Sequence, residues 1–531
     1  MDNQDWMRAR TYTPEKIALA RRVLEDVRTG KQVDQAVREH PLPGGDGYLG
    51  KNVLVAAYTQ LVETGEWQPD PSLLARIRMK PVRSLSGVTV VTVLTKPYPC
   101  PGECIFCPTD VRMPKSYLPD EPGAMRGLYH EFDPYNQVHA RLEALQSVGH
   151  PTDKIELLIL GGTWSAYRRD YQELFVLRCF DALNGVESQT LKEAQLLNEA
   201  TAHRNVGLAI ETRPDHINRD ELAWLRYLGV TKVQLGVQSL DDRILELNKR
   251  GHTVEDTHRA VTLLRAAGFK IVLHWMPNLL GATLASDRED FSHLWADLCP
   301  DELKIYPNQL LANAELYEYW QRGEFKPYST DELIDLIADI KTVIPRYCRV
   351  NRVIRDIPST NVVEGNKRTS LRQDIQAEMK RRGTRCECVR CREVGKSTVS
   401  KVNIHRDDLI YFAGSIEEHF ISYSTDDDKL AGFLRLSLPG QHSPDTCMAD
   451  LDQAAIIREV HVYGLSLEVG EKQSGVAQHA GLGTALLEEA EAVAREMGYK
   501  QLAVIAAVGT RQYYLKRGFY RGDLYLLKDL A

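Results

Sequence analysis

Short apolar runs alternate with amphipathic segments through the middle of the chain. The runs are VTVVTVLT (88–95), IELLILGGT (155–163), VGLAIETRP (206–214), KVQLGVQS (232–239), KIVLHWMP (270–277) and ELKIYP (302–307). Segments with apolar residues at helical spacing, such as RDELAWLRYLG, lie between them. This alternation predicts βα units with a parallel sheet and right-handed crossovers, hence an α/β fold. Six units over residues 86–314 fit an open, partial (βα)6 barrel better than a closed eightfold one.

In a TIM-like barrel of this kind, chemistry takes place at the carboxyl ends of the strands. Residue types that are unusual for a strand fall at those ends. They are a cysteine loop after the first run, Gly161-Gly162-Thr163, Glu211-Thr212-Arg213-Pro214, Gln238-Ser239, Met276-Pro277 and Lys304-Ile305-Tyr306-Pro307. The pattern therefore predicts a site at this end of the barrel.

The flanking regions follow other patterns. Residues 1–85 read as helices, for example TPEKIALARRVLEDVRTG, in which a Thr-Pro-Glu start and a terminal glycine delimit the helix. Residues 315–401 read as a connector. Residues 402–531 alternate strands and helices as an α+β domain, with GLGTALLEEAEAVAREMGY as its longest helical segment. A chain of 531 residues is too long for a single core, in agreement with this division.

Composition narrows the class of protein. Apolar residues make up 43% and charged residues 26% of the chain, as in soluble globular proteins. No apolar run reaches membrane-spanning length and the first residues lack a secretory h-region, so we expect a cytoplasmic protein with no membrane partner. The net charge is −7, yet residues 341–401 hold 16 Lys and Arg against 6 Asp and Glu. This basic segment predicts a polyanion footprint, or alternatively a solvated helix face.

Cys100, Cys104 and Cys107 place three thiols within one tight loop, CPGECIFC. Structural zinc usually takes four ligands arranged as two pairs. Three cysteines can instead hold a cubane iron–sulfur cluster that leaves one iron open. Structural zinc and inert packing remain alternatives, although the neighbouring prolines and glycine are typical of an exposed loop.

The Cys-x3-Cys-x2-Cys spacing after the first strand resembles the motif of radical S-adenosylmethionine (SAM) enzymes. The resemblance implies a 4Fe–4S cluster whose open iron binds the methionine end of SAM, and reductive cleavage to a 5′-deoxyadenosyl radical. It also implies that Gly161, Gly162 and Thr163 contact the methionyl amine, and that Glu211, Arg213 and Lys304 approach the ribose or carboxylate. Without the cysteine loop, the two glycines would read equally well as an ordinary βα turn.

The C-terminal region contains a glycine loop that enters a helix, an arrangement that favours a bound pyrophosphate. Its order of elements resembles the Gcn5-related N-acetyltransferase (GNAT) fold, which binds acetyl-CoA. By that resemblance the CoA loop comprises Gln478, Gly481, Leu482, Gly483 and Thr484. The strand beside the acetyl group carries Glu459, Val460, His461 and Val462, and Tyr513 or Tyr514 lies near the thioester. His461 also fits a satisfied strand histidine, and one of the two tyrosines fits the core.

Cys386, Cys388 and Cys391 form a second motif, inside the basic connector. Three close thiolates and a fourth ligand from elsewhere would suit a structural zinc that joins two domains. Cys299, Cys348 and His405 are candidates for the fourth ligand. A second iron–sulfur cluster and free thiols are the alternatives.

The two enzyme-like regions, with the blocks ETRPD, LGVQS, NKRGHTV, LKIYP and REVHVYG, closely resemble the family of Elongator catalytic subunits, in the single-chain archaeal or bacterial form. The resemblance implies carboxymethylation of the tRNA wobble uridine at C5, from SAM and acetyl-CoA. It implies that Lys154 contacts acetyl-CoA and that the anticodon loop of tRNA is the partner. Residues 1–85 are then a candidate tRNA-binding region, and a homodimer is compatible with this assignment. A protein lysine acetyltransferase and a non-catalytic tRNA-binding module are the rival functions.

Overall fold

The computed structural model describes residues 12–44, 47–84, 87–395, 404–463 and 481–530. Its strands form two seven-stranded sheets, one parallel and one mixed. The α/β barrel and the additional α+β domain are thus confirmed. Among these residues, no helix combines the length and apolar character that crossing a membrane requires.

A small helical bundle precedes the barrel. Its described helices are α1 (Pro14–Arg28), α2 (Val33–Glu39), α3 (Lys51–Glu63) and α4 (Pro71–Ile77). The Thr13 hydroxyl accepts a hydrogen bond from the Lys16 amide and Pro14 occupies the first turn, so α1 begins where the sequence predicts. Leu24, Leu54 and Ile77 are fully buried in a core that belongs to the bundle alone.

The strands of the barrel sheet lie side by side in the order of the sequence. They are β1 (Thr89–Leu94), β2 (Lys154–Leu160), β3 (Arg204–Thr212), β4 (Lys232–Gln238), β5 (Lys270–Trp275), β6 (Glu302–Ile305) and β7 (Arg349–Arg352). The accompanying helices are α5 (Pro122–Tyr129), α6 (Pro134–Gln146), α7 (Arg169–Asn184), α8 (Leu191–Asn198), α9 (Arg219–Tyr227), α10 (Asp242–Leu247), α11 (Val254–Ala266), α12 (Leu284–His293), α13 (Leu316–Gln321), α14 (Thr330–Ile340), α15 (Leu371–Arg381) and α16 (Val389–Arg392). Because β1 and β7 do not pair with each other, the barrel is open on one side.

The seventh strand corrects the prediction of six units. It lies in the segment that the sequence pattern assigns to a connector, and it extends the sheet by pairing Leu303 with Val350 and Lys304 with Arg352. The strand reads RVNR, in which only Val350 is buried. Its apolar signal is too short to be recognised without the neighbouring strand.

The barrel interior is open and polar. Side chains of a strand alternate between its two faces, so on β2 Ile155 and Leu157 pack against the outer helices while Glu156 and Leu158 face the lumen. A closed TIM barrel fills this space with branched apolar side chains. Here the space enclosed by the curved sheet instead remains open.

The C-terminal domain is built on the mixed sheet. Its strands are β8 (Ile404–Ala413), β9 (Ile416–Thr425), β10 (Leu430–Pro439), β11 (Ala454–Val462), β12 (Gln501–Val504), β13 (Tyr520–Arg521) and β14 (Leu526–Asp529), and its helices are α17 (Leu482–Glu496) and α18 (Arg511–Leu515). The order in the sheet is β13-β14-β12-β11-β10-β9-β8, with only β11 and β12 parallel. This domain packs against the amino ends of the barrel strands, where Lys270 of β5 contacts Glu459 of β11.

The two parallel strands of this sheet separate halfway along their length. β11 and β12 pair only as far as Ile457 and Val504, and β11 then continues alongside β10. The register with β10 shifts so that Arg435 pairs with Glu459 and Leu436 with Ile457. Arg458 is therefore the extra residue of a bulge, a device that redirects a side chain. The gap that opens between the strands becomes part of the site described below.

A buried ion network joins the two domains. Arg458 of β11 contacts Asp301 of the barrel and Glu418 of β9, each at 2.7 Å, and all three side chains are fully buried. Arg435 lies 3.4 Å from Asp301, and Arg265 lies 3.6 Å from Glu418. Burial alone would raise the pKa of Asp301, but the charge of Arg458 holds it well below its ordinary value. The network fixes how the barrel and the C-terminal sheet face each other.

We expect Arg458→Met to lower the free energy of unfolding by about 3–5 kcal/mol, because it leaves Asp301 and Glu418 charged, buried and short of a partner. Urea denaturation measures this change. The matched control is Arg495→Met, which removes a half-exposed arginine paired with Glu491 and should cost at most about 1 kcal/mol. Equal effects of the two substitutions would contradict the role of the network.

Candidate active site

The first cysteine motif lies in the loop after β1, at the carboxyl end of the barrel. The Gly102 amide donates to Cys100 Sγ at 3.5 Å, and Arg250 Nη1 donates to Cys104 Sγ at 3.2 Å. A hydrogen bond from Cys107 and the charge of Arg250 outweigh burial and lower the pKa of Cys104 to about 5. The loop therefore favours the thiolate of Cys104, whereas the hydrogen bond with Cys104 and burial raise the pKa of Cys107.

The spacing of the sulfur atoms distinguishes the two cysteine motifs. The Sγ atoms of Cys386, Cys388 and Cys391 all lie within 4.8 Å of one another, as ligands of a single tetrahedral ion do. The first motif does not form such a compact group. In the first loop Cys104 and Cys107 are in hydrogen-bond contact and Cys100 lies outside a compact group of three, and three cysteines of one loop can hold an iron–sulfur cluster.

The predicted glycine motif forms a tight turn after β2. Gly161 has φ +144° and Gly162 has φ +91°, a backbone region that favours glycine. A Cβ atom on Gly161 would lie 1.8 Å from Thr95 Oγ1. Thr163 Oγ1 lies 3.7 Å from Cys100 Sγ, so the turn adjoins the cysteine loop.

Glu211, at the end of β3, belongs to a buried polar cluster. Its carboxylate accepts from the Tyr117 hydroxyl at 2.8 Å and contacts His274 Nδ1 at 3.1 Å. Burial opposes ionisation, but the hydrogen bond from His274 and the charge of Lys304 help lower the pKa of Glu211 to about 2. Lys304 Nζ lies over the ring of Tyr306, 5.7 Å from its centroid.

Arg213 lies beneath the cysteine loop. Its guanidinium makes two 2.9 Å hydrogen bonds to Asp215 and donates to the Arg250 carbonyl at 2.9 Å. A Cβ atom on Gly102 would lie only 2.3 Å from Arg213 Nη1. Arg213 thus supports the loop from a position fixed by Asp215.

A layer of charged side chains lines the amino end of the lumen. Lys232 contacts both Glu156 and Glu302, and Lys270 contacts Glu302 at 2.6 Å. Lys270 also contacts Glu459 of the C-terminal sheet at 2.6 Å. A series of contacts between lysines and glutamates therefore connects the barrel strands with β11, the strand that the sequence assigns to the acetyl group.

The strand β11 places His461 and Glu459 in different electrostatic states. Glu459 is held between Lys270 and Arg435, whose charges keep its pKa below the ordinary value despite burial. Burial lowers the pKa of His461 to about 4, and its Nε2 has no hydrogen-bond partner among the described residues. Val460 lines the same wall, and Val462 approaches Gly483. His461 is therefore a neutral base with an available nitrogen.

The glycine loop reaches the amino end of α17. Gly481 is the N-cap of this helix and has φ +75°. Leu482, which follows it, is buried. Gly483 has no side chain, which leaves room for the Tyr513 hydroxyl. Thr484 Oγ1 accepts from Arg517 at 3.4 Å. Gln478 lies outside the described residues.

The two tyrosines of α18 differ. Tyr513 lies under the Arg517 guanidinium, 3.6 Å from the ring centroid. Tyr514 is buried in the C-terminal core and also lines the cavity described next. Tyr514 is therefore the tyrosine that faces the site.

One cavity of about 1330 Å³ connects the cysteine loop of the barrel with the C-terminal sheet. Its wall contains all three cysteines of the first motif, the Gly162 turn, Glu211, Arg213 and Lys304 at one end. At the other end it enters the gap between β11 and β12, where it is lined by Glu459, Val460, His461, Ala506 and Tyr514. The described part of this wall does not include Lys154, which begins β2 in register with Arg204 and whose pKa is lowered by burial.

The second cysteine motif lies where the barrel meets the C-terminal sheet. The Val389 amide donates to the Cys348 carbonyl just before β7, and Glu393 bridges to Leu430 of β10. Lys341 Nζ is buried without a hydrogen-bond partner among the described residues. Hydrogen bonds with Cys386 and Cys391 lower the pKa of Cys388, whereas the pKa of each of these two partners is raised.

Three residues were candidates for a fourth ligand to this motif. Cys348, Cys299 and His405 are all described, and none joins the compact three-sulfur group. The Cys299 thiol donates to the Phe412 carbonyl, and His405 pairs with Asp426. Cys348 remains the nearest to the motif through its backbone contact with α16.

Sequence reasoning missed several residues of the lumen, among them Lys232, Gln234, Lys270, His274 and Glu302. A signal for them exists in the strands themselves. In KVQLGVQ and KIVLHW, polar residues interrupt apolar runs at every second or fourth position, so they share one face of the strand. Such a face is polar only where a barrel is hollow.

Comparison with known proteins agrees with this geometry. The Radical SAM superfamily profile matches residues 98–293, and the Radical_SAM C-terminal domain profile matches residues 300–381. A tRNA uridine(34) acetyltransferase from Methanocaldococcus infernus is 43% identical over 477 residues, which is 86% of this chain and 88% of that protein. The Elongator complex protein 3 of Danio rerio is 38% identical over 86% of this chain and 87% of its own length.

The chain belongs to the Elongator complex protein 3 family. A solved structure of the archaeal Methanocaldococcus infernus Elp3 with an N-terminal deletion (1–46) matches it with a TM-score of 0.73 and 39% identity. The match covers 84% of this chain and all of that one. Membership in this family, together with the radical SAM domain, makes the chain an enzyme, and the radical SAM domain supports a 4Fe–4S cluster and SAM as cofactors.

We expect Gly161→Ala to destabilise the protein by at least about 2 kcal/mol, since the new methyl group would overlap Thr95 Oγ1 and the backbone would keep an unfavourable φ. The comparison is Gly185→Ala, at φ +71° with no atom within 4 Å of the new Cβ, which should cost about 1 kcal/mol. Thermal or urea unfolding measures both. A smaller loss for Gly161→Ala than for Gly185→Ala would show that the turn relaxes.

Proposed function

We propose that this protein carboxymethylates the wobble uridine of tRNA at C5, using SAM and the two-carbon unit of acetyl-CoA. The observation that carries the proposal is the single cavity shared by Cys100, Cys104 and Cys107 at one end and by Glu459, His461 and Tyr514 at the other. Two centres that face one enclosed space can act on one substrate. The names of the relatives, tRNA uridine(34) acetyltransferase and Elongator complex protein 3, support the same reaction class.

The cysteine loop supports binding of a 4Fe–4S cluster with one open iron. With SAM bound, such a cluster supplies a group that abstracts a hydrogen atom. Arg250 and Arg213 provide positive charge beside the thiolates, and the Gly161-Gly162 turn leaves space at the adjacent strand end. Glu211 and Lys304 offer charged groups for the polar parts of SAM in the same wall.

The C-terminal end supports a bound acetyl thioester. The splayed strands β11 and β12 give an extended acyl chain access to the cavity, and α17 presents its amino end behind Gly481. His461 is neutral at physiological pH and can accept a proton from the water that hydrolyses the thioester. Glu459 is held by two cations, whose charges keep its pKa below the ordinary value.

The chemistry of uracil explains why both centres are needed. C5 is a poor target for simple acyl transfer, but it accepts a carbon radical. If the acetyl methyl group gives up a hydrogen atom and its carbon adds to C5, loss of the C5 proton and of one electron to an iron–sulfur acceptor would restore the ring double bond. Hydrolysis of the thioester by water would then release CoA and leave a carboxymethyl group. In this scheme the acetyl methyl group and C5 must meet inside the cavity, between the two ends.

Charge around the open side of the barrel supports entry of RNA there. The cationic side chains that line the cavity on this side are Lys80, Arg126, Arg141, Arg349, Arg352 and Arg390. They come from both margins of the opening, next to β1 and β7. Phosphates of a single-stranded loop would meet these cations, so affinity should fall with salt. A splayed base of such a loop can leave its stack at low cost.

Other parts of the assignment stay predictions. They are contact between the helical bundle and tRNA, the role of Lys154 toward acetyl-CoA, a cytoplasmic location and a homodimer. A structural zinc at Cys386, Cys388 and Cys391 is also proposed, supported by their compact sulfur group between the two domains.

The reaction can be tested with reconstituted protein under anaerobic conditions, in the presence of SAM, acetyl-CoA, reductant and tRNA. We expect nucleoside mass spectrometry to find a carboxymethyl group on uridine 34. Cys107→Ala should abolish both 5′-deoxyadenosine and the adduct, because two cysteines cannot hold the cluster. Tyr514→Ala should lower the adduct by about tenfold by disturbing the acyl end of the cavity. Cys447→Ser, at an exposed cysteine outside the cavity, should match the wild type.

Two outcomes would contradict this function. Absence of SAM cleavage by the fully loaded wild type would exclude radical chemistry. Acetylation of protein lysines that persists in Cys104→Ala would instead support an acetyltransferase that uses the C-terminal domain alone.

We expect about one zinc per chain in protein purified without chelator, measured by inductively coupled plasma mass spectrometry. Cys388→Ser should lose most of the metal and lower the unfolding temperature, since metal binding stabilises the folded state. Cys179→Ser, at a buried cysteine elsewhere in the barrel, should keep the zinc. Loss of zinc in Cys348→Ser would identify Cys348 as the fourth ligand, whereas retention in Cys388→Ser would exclude the site.

A further inference from the structure

One polar side chain in the lumen is only partly hydrogen-bonded among the described residues. Gln234, in the middle of β4, is only 3% exposed and lines the cavity. One end of its amide lies 3.4 Å from His274 Nε2, and the other end has no hydrogen-bond partner among the described residues. A polar group that is buried without a partner is costly, so its persistence points to a bound partner.

The neighbours of Gln234 are, by contrast, occupied with one another. Below it, Lys232 contacts Glu156 and Glu302. Above it, His274 is bonded to Glu211. Compared with these neighbours, the amide of Gln234 retains capacity for a ligand.

The orientation of the amide follows from His274. Glu211 is a carboxylate and accepts from His274 Nδ1, so in the neutral ring Nε2 carries no proton. Because that Nε2 is an acceptor, the end of the Gln234 amide that lies 3.4 Å from it is assigned as the nitrogen, which donates to it. The end without a partner is then the carbonyl oxygen, which lies beside the second N–H on a side chain that lines the cavity.

A neighbouring acceptor and donor complement one edge of uracil. Uracil presents N3–H flanked by two carbonyl oxygens, and a carboxamide can bind N3–H and one carbonyl in a bidentate contact. Tyr306 lines the same cavity and lies edge-on to His274, with ring centroids 5.4 Å apart. Its ring offers a surface on which a base can stack.

We propose that Gln234 binds the Watson–Crick edge of the target uracil, through N3–H and an adjacent carbonyl. This assignment rests on the function proposed above and names the residue that selects the base. It places the ring at mid-height in the lumen, between the cysteine loop and β11. The C5–C6 edge of uracil lies opposite the C2–N3 edge, so a contact with N3–H and the C2 carbonyl at the wall leaves C5 directed into the open part of the cavity.

The test uses anticodon stem-loop RNAs that carry either uridine or 3-methyluridine at the wobble position. The methyl group removes the N3–H donor. We expect the wild-type protein to bind the methylated RNA several-fold more weakly and to modify it at least about tenfold less. Gln234→Leu should lose about tenfold in adduct formation on uridine and show no further loss on 3-methyluridine. Fluorescence anisotropy and nucleoside mass spectrometry give the two readouts.

Two further variants serve as controls. Gln234→Glu keeps an oxygen that can accept N3–H, and we expect it to retain the preference for uridine over 3-methyluridine. Gln195→Leu removes a buried amide outside the cavity, bonded to the Tyr227 carbonyl at 3.1 Å, and should behave as the wild type. Thermal unfolding checks that Gln234→Leu is folded.

The outcomes separate this assignment from the proposed function. Equal fold-losses for 3-methyluridine in the wild type and in Gln234→Leu would overturn the contact with N3. A raised KM for acetyl-CoA in Gln234→Leu, with the uridine preference intact, would assign the amide to the acyl carbonyl and would also overturn it. If the wild type forms no adduct at all, the proposed chemistry fails, while the two binding affinities still decide the contact.

Discussion

The buried ion network around Asp301 and Arg458 is the interaction on which the rest of the molecule depends. It lies between the barrel and the C-terminal sheet, and its members are fully removed from water. Ions in such a place favour one arrangement strongly, since any shift would leave a charge unpaired. In that arrangement the gap between β11 and β12 lies next to the amino ends of the barrel strands. Two independent folds thereby share one cavity.

The cavity exists because the barrel is incomplete and hollow. A closed barrel would fill its interior with branched side chains, whereas here Lys232, Lys270, Glu302 and their partners hold one another at the wall. Mutual pairing makes these charges tolerable in a confined space. The same pairing reaches Glu459 on the C-terminal sheet, so the lining of the passage and the contact between domains are one continuous set of interactions.

The two ends of the cavity differ in electrostatic character, and each suits its proposed chemistry. Arginines beside the cysteine loop favour thiolates, and burial of His461 keeps a neutral nitrogen at the acyl end. Between them Gln234 offers a neutral, directional contact. Cations along the open side complete a path by which RNA could reach this middle position.

The sequence by itself determined the features that depend on the spacing of residues close together in the chain. Cysteines two and three residues apart must share a loop, Gly161-Gly162 must turn, and the alternation of runs and helices predicts both domains. Only the tertiary structure decided which distant groups meet: Lys270 pairs with Glu459 across 189 positions, RVNR becomes a strand beside β6, and Lys154 is left out of the cavity wall. The physical reason is that such contacts depend on packing between separate elements, which local periodicity does not encode.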